Sequence, residues 1–412
     1  MRTHMTRTMI TMLALGLTAA ACAESDSGAG DETETKTEAT ADRESTPTAQ
    51  PRLVVASDSG AEVVAGSDLA SLGQFDLASR PKLQVAGDDR HVFVLQSDTA
   101  KVGIVDAGSW SVAHGDHSHS YVTDPSLLKT TFDEGTSYHA VSDDERSVVW
   151  FDDDASFRSF DWKGLEDDDV DVQSVETGAG HHGVAAPLAD GGFLASYAEG
   201  EDAAGVLVLD AEGKETARIG GCEGLHGEAH AGDDAYAFGC SDGVLLVDGG
   251  EGEKIDSPVD GAGTRSLVGA HDSDVLAGNL TSETDESVTQ KIALYDVEKK
   301  SATAVDLGTE FASYARDGGQ TIVLGTDGAL HVVDDATGKV VEKHQVMDPW
   351  ELTDEYSDPK PQVAAGGGFA WVTDPRDSSI ALIELGTGKE RTKATLSDVP
   401  TSLAVVNAPH GH

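Results

Sequence analysis

The sequence predicts an all-β protein with the β-propeller fold, and three observations support this prediction. Short apolar, β-branched segments alternate with Asp-Gly, Gly-Gly and Asp-Asp turns from Arg52 onward, and no long stretch shows helical periodicity. A unit of four such strands recurs at intervals of about 40 to 55 residues, the length of one propeller blade. The body of about 360 residues is also too large for an ordinary two-sheet sandwich.

The repeats are marked by an acidic or glycine-rich turn between the first and second strand of each unit. These turns lie near Asp88-Asp89, Asp143-Asp144, Asp190-Gly191, Asp233-Asp234, Asp272, Asp317-Gly318 and Gly366-Gly367. Ser402–Val406 is an inner-type strand with no following blade, whereas residues 53–77 supply outer-type strands with no inner partner. Pairing these terminal segments would close the ring and protect its edges. The sequence therefore predicts eight four-stranded blades, with seven as the alternative because the first and third units are irregular.

The N-terminal residues predict export. Residues 1–21 carry a short basic region, an apolar core and the small residues Ala19-Ala20-Ala21 before Cys22, which together are typical of a signal peptide. Cleavage before Cys22 and lipidation of its thiol would make a cell-envelope lipoprotein facing the periplasm or the extracellular side. Simple secretion is the alternative, because the residue three before the cysteine is alanine. Residues 22–50 are predicted to be an acidic, disordered tether, and residues 51–412 the propeller domain.

The charge of the chain excludes several classes of partner. Seventy-four acidic residues against 28 Lys and Arg give a net charge of −46, which argues against nucleic acid or anionic lipid. We expect a monomer that meets the membrane only through its lipid anchor. Aspartate runs such as Asp152-Asp153-Asp154 lack the spacing of a calcium loop, so we expect exposed turns there.

One short stretch carries an unusual density of metal-binding side chains. His114, Asp116, His117 and His119 lie two or three residues apart among small, polar neighbours. Imidazoles and a carboxylate on such a run can turn toward one cation. A solvated surface loop is the alternative reading.

Three further histidines recur at matching points of successive repeats. His139, His182 and His226 each lie at or just before the first strand of a blade. That strand lines the central channel of a propeller, so we expect the three to converge near the axis; the alternative is hydrogen-bonded core histidines. The segment from residue 114 to 135 is too long for a hairpin and is predicted to fold over the same mouth. Both histidine sets would then share one zinc site, since tetrahedral zinc needs three or four such nitrogens.

Two cysteines remain once Cys22 is assigned to the lipid. Cys222 and Cys240 flank the first and second strands of one blade and lack Cys-x-x-Cys spacing. In an exported protein a disulfide is the favoured pairing, and thiolate ligation is the alternative. The bond would contribute about 3 kcal/mol and would brace the backbone that carries His226.

Several of these motifs together resemble the AztD-type periplasmic zinc metallochaperones. They are the run from Gly221 to Ala229, the paired histidines in Gly180-His181-His182-Gly183, the loop from His114 to His119 and the closing His410-Gly411-His412. The resemblance covers the chain from about Arg52 to the C-terminus. It implies an extracytoplasmic propeller that binds zinc and delivers it to the solute-binding protein of a zinc ABC importer. The lipid anchor is a departure from the Gram-negative form of this family.

Two other functions remain open at this point. A metal-dependent propeller hydrolase would need an open coordination position and a general base, for which Glu228 is available. A non-catalytic adhesive or scaffold propeller would need no metal. We expect a carrier and no enzyme, with further weak zinc binding either through His410 and His412 of the tail or through unpaired histidines of the loop.

Overall fold

The structure is a computed structural model that describes residues 43–115, 117–200, 202–232, 235–270, 273–353 and 358–409. The predicted signal peptide, Cys22, Asp116 and the closing histidines His410 and His412 lie outside these residues. Within them, three short 3-10 helices span Ser97–Thr99, Trp162–Asp167 and Glu286–Gln290. No helix in the described ranges has the length and apolar character needed to cross a membrane.

The remaining elements are strands. Those of the first half are β1 (Glu44–Thr46), β2 (Arg52–Ala56), β3 (Gly60–Ala65), β4 (Ser71–Asp76), β5 (Lys82–Val85), β6 (His91–Gln96), β7 (Lys101–Asp106), β8 (Ser109–His114), β9 (His117–Val122), β10 (Ser126–Leu127), β11 (Ala140–Ser142), β12 (Arg146–Phe151), β13 (Ser156–Asp161), β14 (Gln173–Glu176), β15 (Ala185–Pro187), β16 (Phe193–Glu199), β17 (Asp202–Leu209) and β18 (Glu215–Gly220).

Those of the second half are β19 (Glu228–His230), β20 (Ala235–Cys240), β21 (Gly243–Asp248), β22 (Glu251–Asp256), β23 (Leu267–Ala270), β24 (Ser273–Asn279), β25 (Lys291–Asp296), β26 (Ser301–Asp306), β27 (Phe311–Asp317), β28 (Gln320–Gly325), β29 (Ala329–Asp334), β30 (Lys339–Gln345), β31 (Gln362–Gly366), β32 (Phe369–Asp374), β33 (Ser379–Glu384), β34 (Lys389–Thr395) and β35 (Ser402–Val406).

These strands form repeated four-stranded antiparallel sheets, as the sequence predicts. In chain order the sheets are β5-β6-β7-β10, β11-β12-β13-β14, β15-β16-β17-β18, β19-β20-β21-β22, β23-β24-β25-β26, β27-β28-β29-β30 and β31-β32-β33-β34. An eighth joins the two termini in the order β35-β2-β3-β4, with Ser402 opposite Ala56 and Val406 opposite Arg52. The all-β prediction is confirmed, and the repeated unit is that of a β-propeller.

The core lies between neighbouring sheets. Alternate side chains of each strand point to opposite faces, so every sheet presents an apolar face to the sheet on either side. Val148 and Phe157 of the second sheet pack with Phe193 and Leu207 of the third, all of them fully or almost fully buried. The same pattern recurs between the other sheets, so burial of β-branched and aromatic side chains holds the repeats together.

The first strands of adjacent sheets run in the same direction. The Lys82 Nζ donates to the Tyr138 carbonyl oxygen at 3.1 Å, and two residues further on the Ala140 N–H donates to the Gln84 Oε1 at 2.6 Å. β5 and β11 therefore begin at one end of the sheets, which we call the upper end. The opposite end, where β5 stops and the turn to β6 lies, is the lower end.

The predicted loop from residue 114 to 135 is not a lid over the upper end. β8 and β9 form a regular antiparallel hairpin in which His114 lies opposite His117. β7 ends at Asp106, opposite the first residue of β6, so the hairpin leaves its sheet at the lower end. Residues 126–132 then pair back along β7, which returns the chain to the upper end. We predicted that this segment could not form a hairpin and would fold over the upper end, and this was wrong. The polar residues of β8 and β9 pair with each other, so their backbone groups are hydrogen-bonded within the hairpin.

A third strand extends the hairpin from the region predicted as tether. β1 pairs with β9 and completes a three-stranded sheet with β8. Trp110 of β8 stacks on Tyr121 of β9, and the Arg90 guanidinium lies over Trp110 at 3.9 Å. Among the residues that the structure describes, the first strand thus begins at Glu44, before the predicted domain boundary at residue 51.

The predicted disulfide between Cys222 and Cys240 is present, and both residues are buried. The adjacent Gly239 accepts a hydrogen bond from the His226 N–H at 3.0 Å and donates one to the Gly227 carbonyl at 3.1 Å. The disulfide and these two hydrogen bonds therefore hold the segment that carries His226 against β20.

We expect the double variant Cys222→Ser, Cys240→Ser to lose about 3 kcal/mol in free energy of unfolding, because the closed loop no longer restricts the unfolded chain. Urea unfolding monitored by circular dichroism measures the change. The free energy of zinc binding to the folded fraction should change less than the free energy of unfolding. Loss of zinc binding from a folded variant, reproduced by adding reductant to the wild type, would instead make the thiols ligands.

Candidate metal centre

Three histidines from successive sheets converge at the upper end. His139 immediately precedes β11, His182 lies shortly before β15 and His226 shortly before β19. Their ring centroids are 5.0 to 6.2 Å apart. The Nε2 atoms of His182 and His226 are 3.3 Å from each other. Equivalent positions in neighbouring repeats therefore bring three imidazoles next to one another, as the sequence predicts.

Each of these imidazoles is held through its Nδ1 atom. His139 Nδ1 lies 2.8 Å from the Oε2 and 3.1 Å from the Oε1 of Glu228. His182 Nδ1 lies 2.7 Å from the Oδ2 of Asp152, and His226 Nδ1 lies 2.8 Å from the carbonyl oxygen of Arg265. An Nδ1–H that donates to an oxygen fixes the tautomer and leaves a lone pair on Nε2. All three rings are thus set to offer Nε2 to a cation.

The backbone at His226 requires a glycine next to it. Gly227 has a φ of +76°, and a Cβ at this position would lie 2.4 Å from the carbonyl oxygen of Arg265. The same oxygen accepts the hydrogen bond from His226. Only glycine allows the two segments to approach this closely.

The donor set fits zinc. Two nitrogens bound to a tetrahedral zinc at 2.0 to 2.1 Å lie about 3.3 to 3.4 Å apart, and the 3.3 Å between the His182 and His226 nitrogens matches this spacing. His139 is buried, with 4% exposure, whereas the side chain of His182 is 41% exposed. The side of the site formed by His139 is therefore buried, and the side formed by His182 is open to solvent. Three imidazoles leave one tetrahedral position for a further ligand.

Burial and neighbouring charges shape the protonation of the site. Burial lowers the pKa of His226 to about 4; the hydrogen bond to Arg265 opposes this shift, and the charges of His182 and His139 add to it. Burial raises the pKa of Glu228, but the charge and hydrogen bond of His139, helped by the charge of Lys82, outweigh burial and hold the pKa below its usual value. Glu228 therefore remains a carboxylate that accepts from His139.

The other predicted histidines form a second cluster. His114, His117 and His119 lie at the exposed tip of the β8–β9 hairpin, and their candidate ligand nitrogens are all within 4.8 Å of one another. The Nε2 atoms of His117 and His119 are 3.2 Å apart. Because the hairpin is at the lower end and His139, His182 and His226 are at the upper end, the two sets do not share one site. The prediction of a single combined zinc site was wrong, and the direction of β7 is the physical reason.

Sequence reasoning missed the groups that orient the ligands. Asp152 was predicted to be an exposed turn residue, but it is largely buried and accepts from His182. Glu228 was considered as a general base, but it is committed to His139. The Arg265 carbonyl carries no signal in the sequence. His181, next to His182, is a core residue whose Nε2 lies 3.0 Å from the hydroxyl of Ser196.

Comparison with known proteins agrees with the resemblance noted in the sequence. No family model matches the chain. The zinc chaperone AztD of Citrobacter koseri is 26% identical over 312 residues, which cover 71% of each chain. The crystal structure of Citrobacter koseri AztD matches with a TM-score of 0.81 at 23% identity, covering 89% of this chain and 100% of that one. The predicted similarity to AztD-type zinc chaperones is confirmed.

A more distant structure shares the fold alone. The dihydro-heme d1 dehydrogenase NirN matches with a TM-score of 0.59 at 12% identity, covering 88% of this chain and 76% of that one. The fold therefore also carries enzymes, and function has to be argued from the site.

We expect Asp152→Asn and Glu228→Gln each to weaken zinc binding about 10- to 100-fold, because partners of this kind orient a ligand and raise its basicity. Competition titration with a chromophoric chelator measures the affinity. Asp154→Asn, a neighbouring exposed carboxylate, is the matched control and should leave the affinity unchanged. Equal affinity in all three variants would contradict the assigned hydrogen bonds.

We expect the His226 imidazole of the zinc-free protein to titrate near pH 4 and not near 6.5. A histidine must be neutral to bind zinc. Because its pKa is lowered, His226 stays neutral at pH 5, and protons compete with zinc for this ligand only near pH 4. NMR of the ring protons, assigned with a His226→Gln variant, measures the midpoint. A midpoint of 6 to 6.5 would show that burial does not shift this group.

Proposed function

We propose that the protein is an extracytoplasmic zinc chaperone that carries zinc on His139, His182 and His226 and delivers it to the solute-binding protein of a zinc ABC importer. The observation that carries this proposal is the cluster of three imidazoles whose Nδ1 atoms all have an oxygen partner, with the Nε2 atoms of His182 and His226 3.3 Å apart. Similarity to the AztD zinc chaperone gives the same cargo.

The geometry suits a carrier that must also release its cargo. Three protein nitrogens leave one coordination position open. His182 lies on the exposed side of the site, so an acceptor can add a ligand before the chaperone gives one up. Exchange of ligands one at a time avoids free zinc and lets the metal pass between proteins.

The hairpin cluster is proposed as a second, weaker zinc site. Its three histidines are close enough to contact one ion, but all are exposed to water. Binding there has to order solvated side chains, which costs conformational entropy. We propose that Asp116 belongs to this site as its sequence position suggests, and that the hairpin collects zinc independently of the upper site.

An enzymatic role receives less support from the site. A hydrolase would need a base within reach of a metal-bound water. The side chain of Glu228 is buried, and its Oε1 accepts a hydrogen bond from His139, so it positions a ligand. We therefore propose no catalytic residue.

We also propose that the eight four-stranded sheets form one closed ring. β35 pairs with β2 and also contacts β5 and β31, which links the first and last repeats in chain order. The central channel would then have its upper mouth at the three histidines. Export, lipidation of Cys22, the tether and the monomeric state remain predictions from the sequence.

We expect His182→Ala or His226→Ala to abolish the tight zinc site, because two nitrogens cannot hold zinc as three do. A hairpin variant with alanine at His114, His117 and His119 should keep that site and lose only the weaker one. Zinc titration with metal counted per chain measures both sites, and transfer to the apo solute-binding protein measures delivery. Loss of tight binding in the hairpin variant would assign the cargo site to the lower end.

A further inference from the structure

One arginine beside the three-histidine site has an unusual environment. The described part of the chain contains many arginines, and Arg265 is the one whose guanidinium makes no hydrogen bond, ion pair or ring contact with another described residue. It is exposed. In a protein with a net charge of −46, an arginine without a carboxylate partner stands out. Arg316, for comparison, is buried in an ion pair with Asp335.

The main chain of Arg265 is part of the metal site. Its carbonyl oxygen accepts the Nδ1–H of His226 at 2.8 Å. Its N–H donates to the Asn279 side chain at 3.2 Å, and the next N–H donates to the same oxygen at 2.8 Å. The position of this carbonyl is thus fixed by backbone hydrogen bonds and does not depend on the guanidinium. The positive charge of Arg265 is close enough to contribute to the lowered pKa of His226.

Arg265 is one of the residues that line a cleft beside the metal site. The cleft has a volume of about 640 Å³ and lies between the fourth and fifth sheets. Its lining includes Ser241, Thr264, Arg265, Ser282, Glu283 and Thr284. Gly224 and Arg265 come shortly before β19 and β23, so the cleft opens at the upper end, beside the metal site. Besides the Arg265 side chain, the lining contains serine and threonine residues whose hydroxyls are polar groups.

We propose that this cleft is the docking site for a carboxylate-bearing segment of the protein that accepts the zinc, and that Arg265 is its anchor. This inference rests on the proposed function. A guanidinium without a carboxylate partner in its own chain is suited to bind one from another, because its planar fork matches a carboxylate in a bidentate pair. The acidic surface elsewhere repels a carboxylate-rich partner, so the exposed Arg265 directs it to the upper end.

Docking at Arg265 would place the acceptor at the open coordination position. The residue that binds the partner through its side chain also holds His226 through its carbonyl oxygen. Movement of the backbone at residue 265 on docking would therefore weaken the hydrogen bond that orients one zinc ligand. Recognition and release would act on the same segment, with zinc retained until the acceptor is in place.

The test separates zinc binding from zinc transfer. In Arg265→Gln the carbonyl–His226 hydrogen bond remains, so zinc affinity should stay within about threefold of the wild type. The second-order rate constant for transfer to the purified apo solute-binding protein of a zinc ABC importer should fall at least tenfold at low salt, and its dependence on ionic strength should weaken. Zinc release to an uncharged chelator, without any acceptor protein, should be unchanged.

Two further variants complete the test. Glu283→Gln removes the acidic group of the same cleft and should leave transfer unchanged or faster, whereas Arg265→Glu should slow transfer more than Arg265→Gln. Transfer at the wild-type rate in Arg265→Gln would overturn the docking site. The docking site would also be overturned if Arg265→Gln changed the rate of zinc release to the chelator as much as the rate of transfer, or changed zinc affinity more than tenfold. Either result would mean that the guanidinium acts directly on the bound zinc. Absence of tight zinc in the wild type would instead refute the proposed function.

Discussion

Three hydrogen bonds to imidazole nitrogens determine what the upper end of this protein can do. A histidine that lacks a partner at Nδ1 can rotate and can place its proton on either nitrogen. The carboxylates of Glu228 and Asp152 and the carbonyl oxygen of Arg265 remove both freedoms at His139, His182 and His226. The ordering cost is met when the protein folds, so a cation that enters finds its donors already in place. The site depends on those three acceptors as much as on the histidines.

The acceptors are available because of how the repeats are arranged. First strands of adjacent sheets run in the same direction, so residues just before them meet at one end. Glu228 reaches His139 from another sheet in the same way. Where a partner comes from the main chain, as at Arg265, glycine at position 227 is needed to let the two backbones approach. The disulfide and the hydrogen bonds of Gly239 hold this segment against β20.

Charge has different effects at the two histidine clusters. The overall charge of −46 raises the local concentration of cations around the whole molecule, including the exposed hairpin. At the upper site, the cationic side chains of Lys82 and Arg265 lie near the ligands and their partners. The charge of Arg265 favours the neutral form of the His226 imidazole, and the charge of Lys82 favours the ionised carboxylate of Glu228.

The sequence by itself determined the repeat, the strands and the residues with metal-binding chemistry. Strand patterns and acidic turns depend on neighbours along the chain, so the four-stranded units, the terminal pairing of β35 with β2, and the matching positions of His139, His182 and His226 could all be predicted. The disulfide could be predicted because two cysteines remain besides Cys22 in a body that is expected to be exported. Only the tertiary structure decided that His114, His117 and His119 lie at the other end, because the direction in which β7 leaves its sheet is a property of the assembled strands. It alone also revealed Asp152, Glu228 and the Arg265 carbonyl as partners of the ligands, since contacts between different sheets leave no periodic trace in a single sequence.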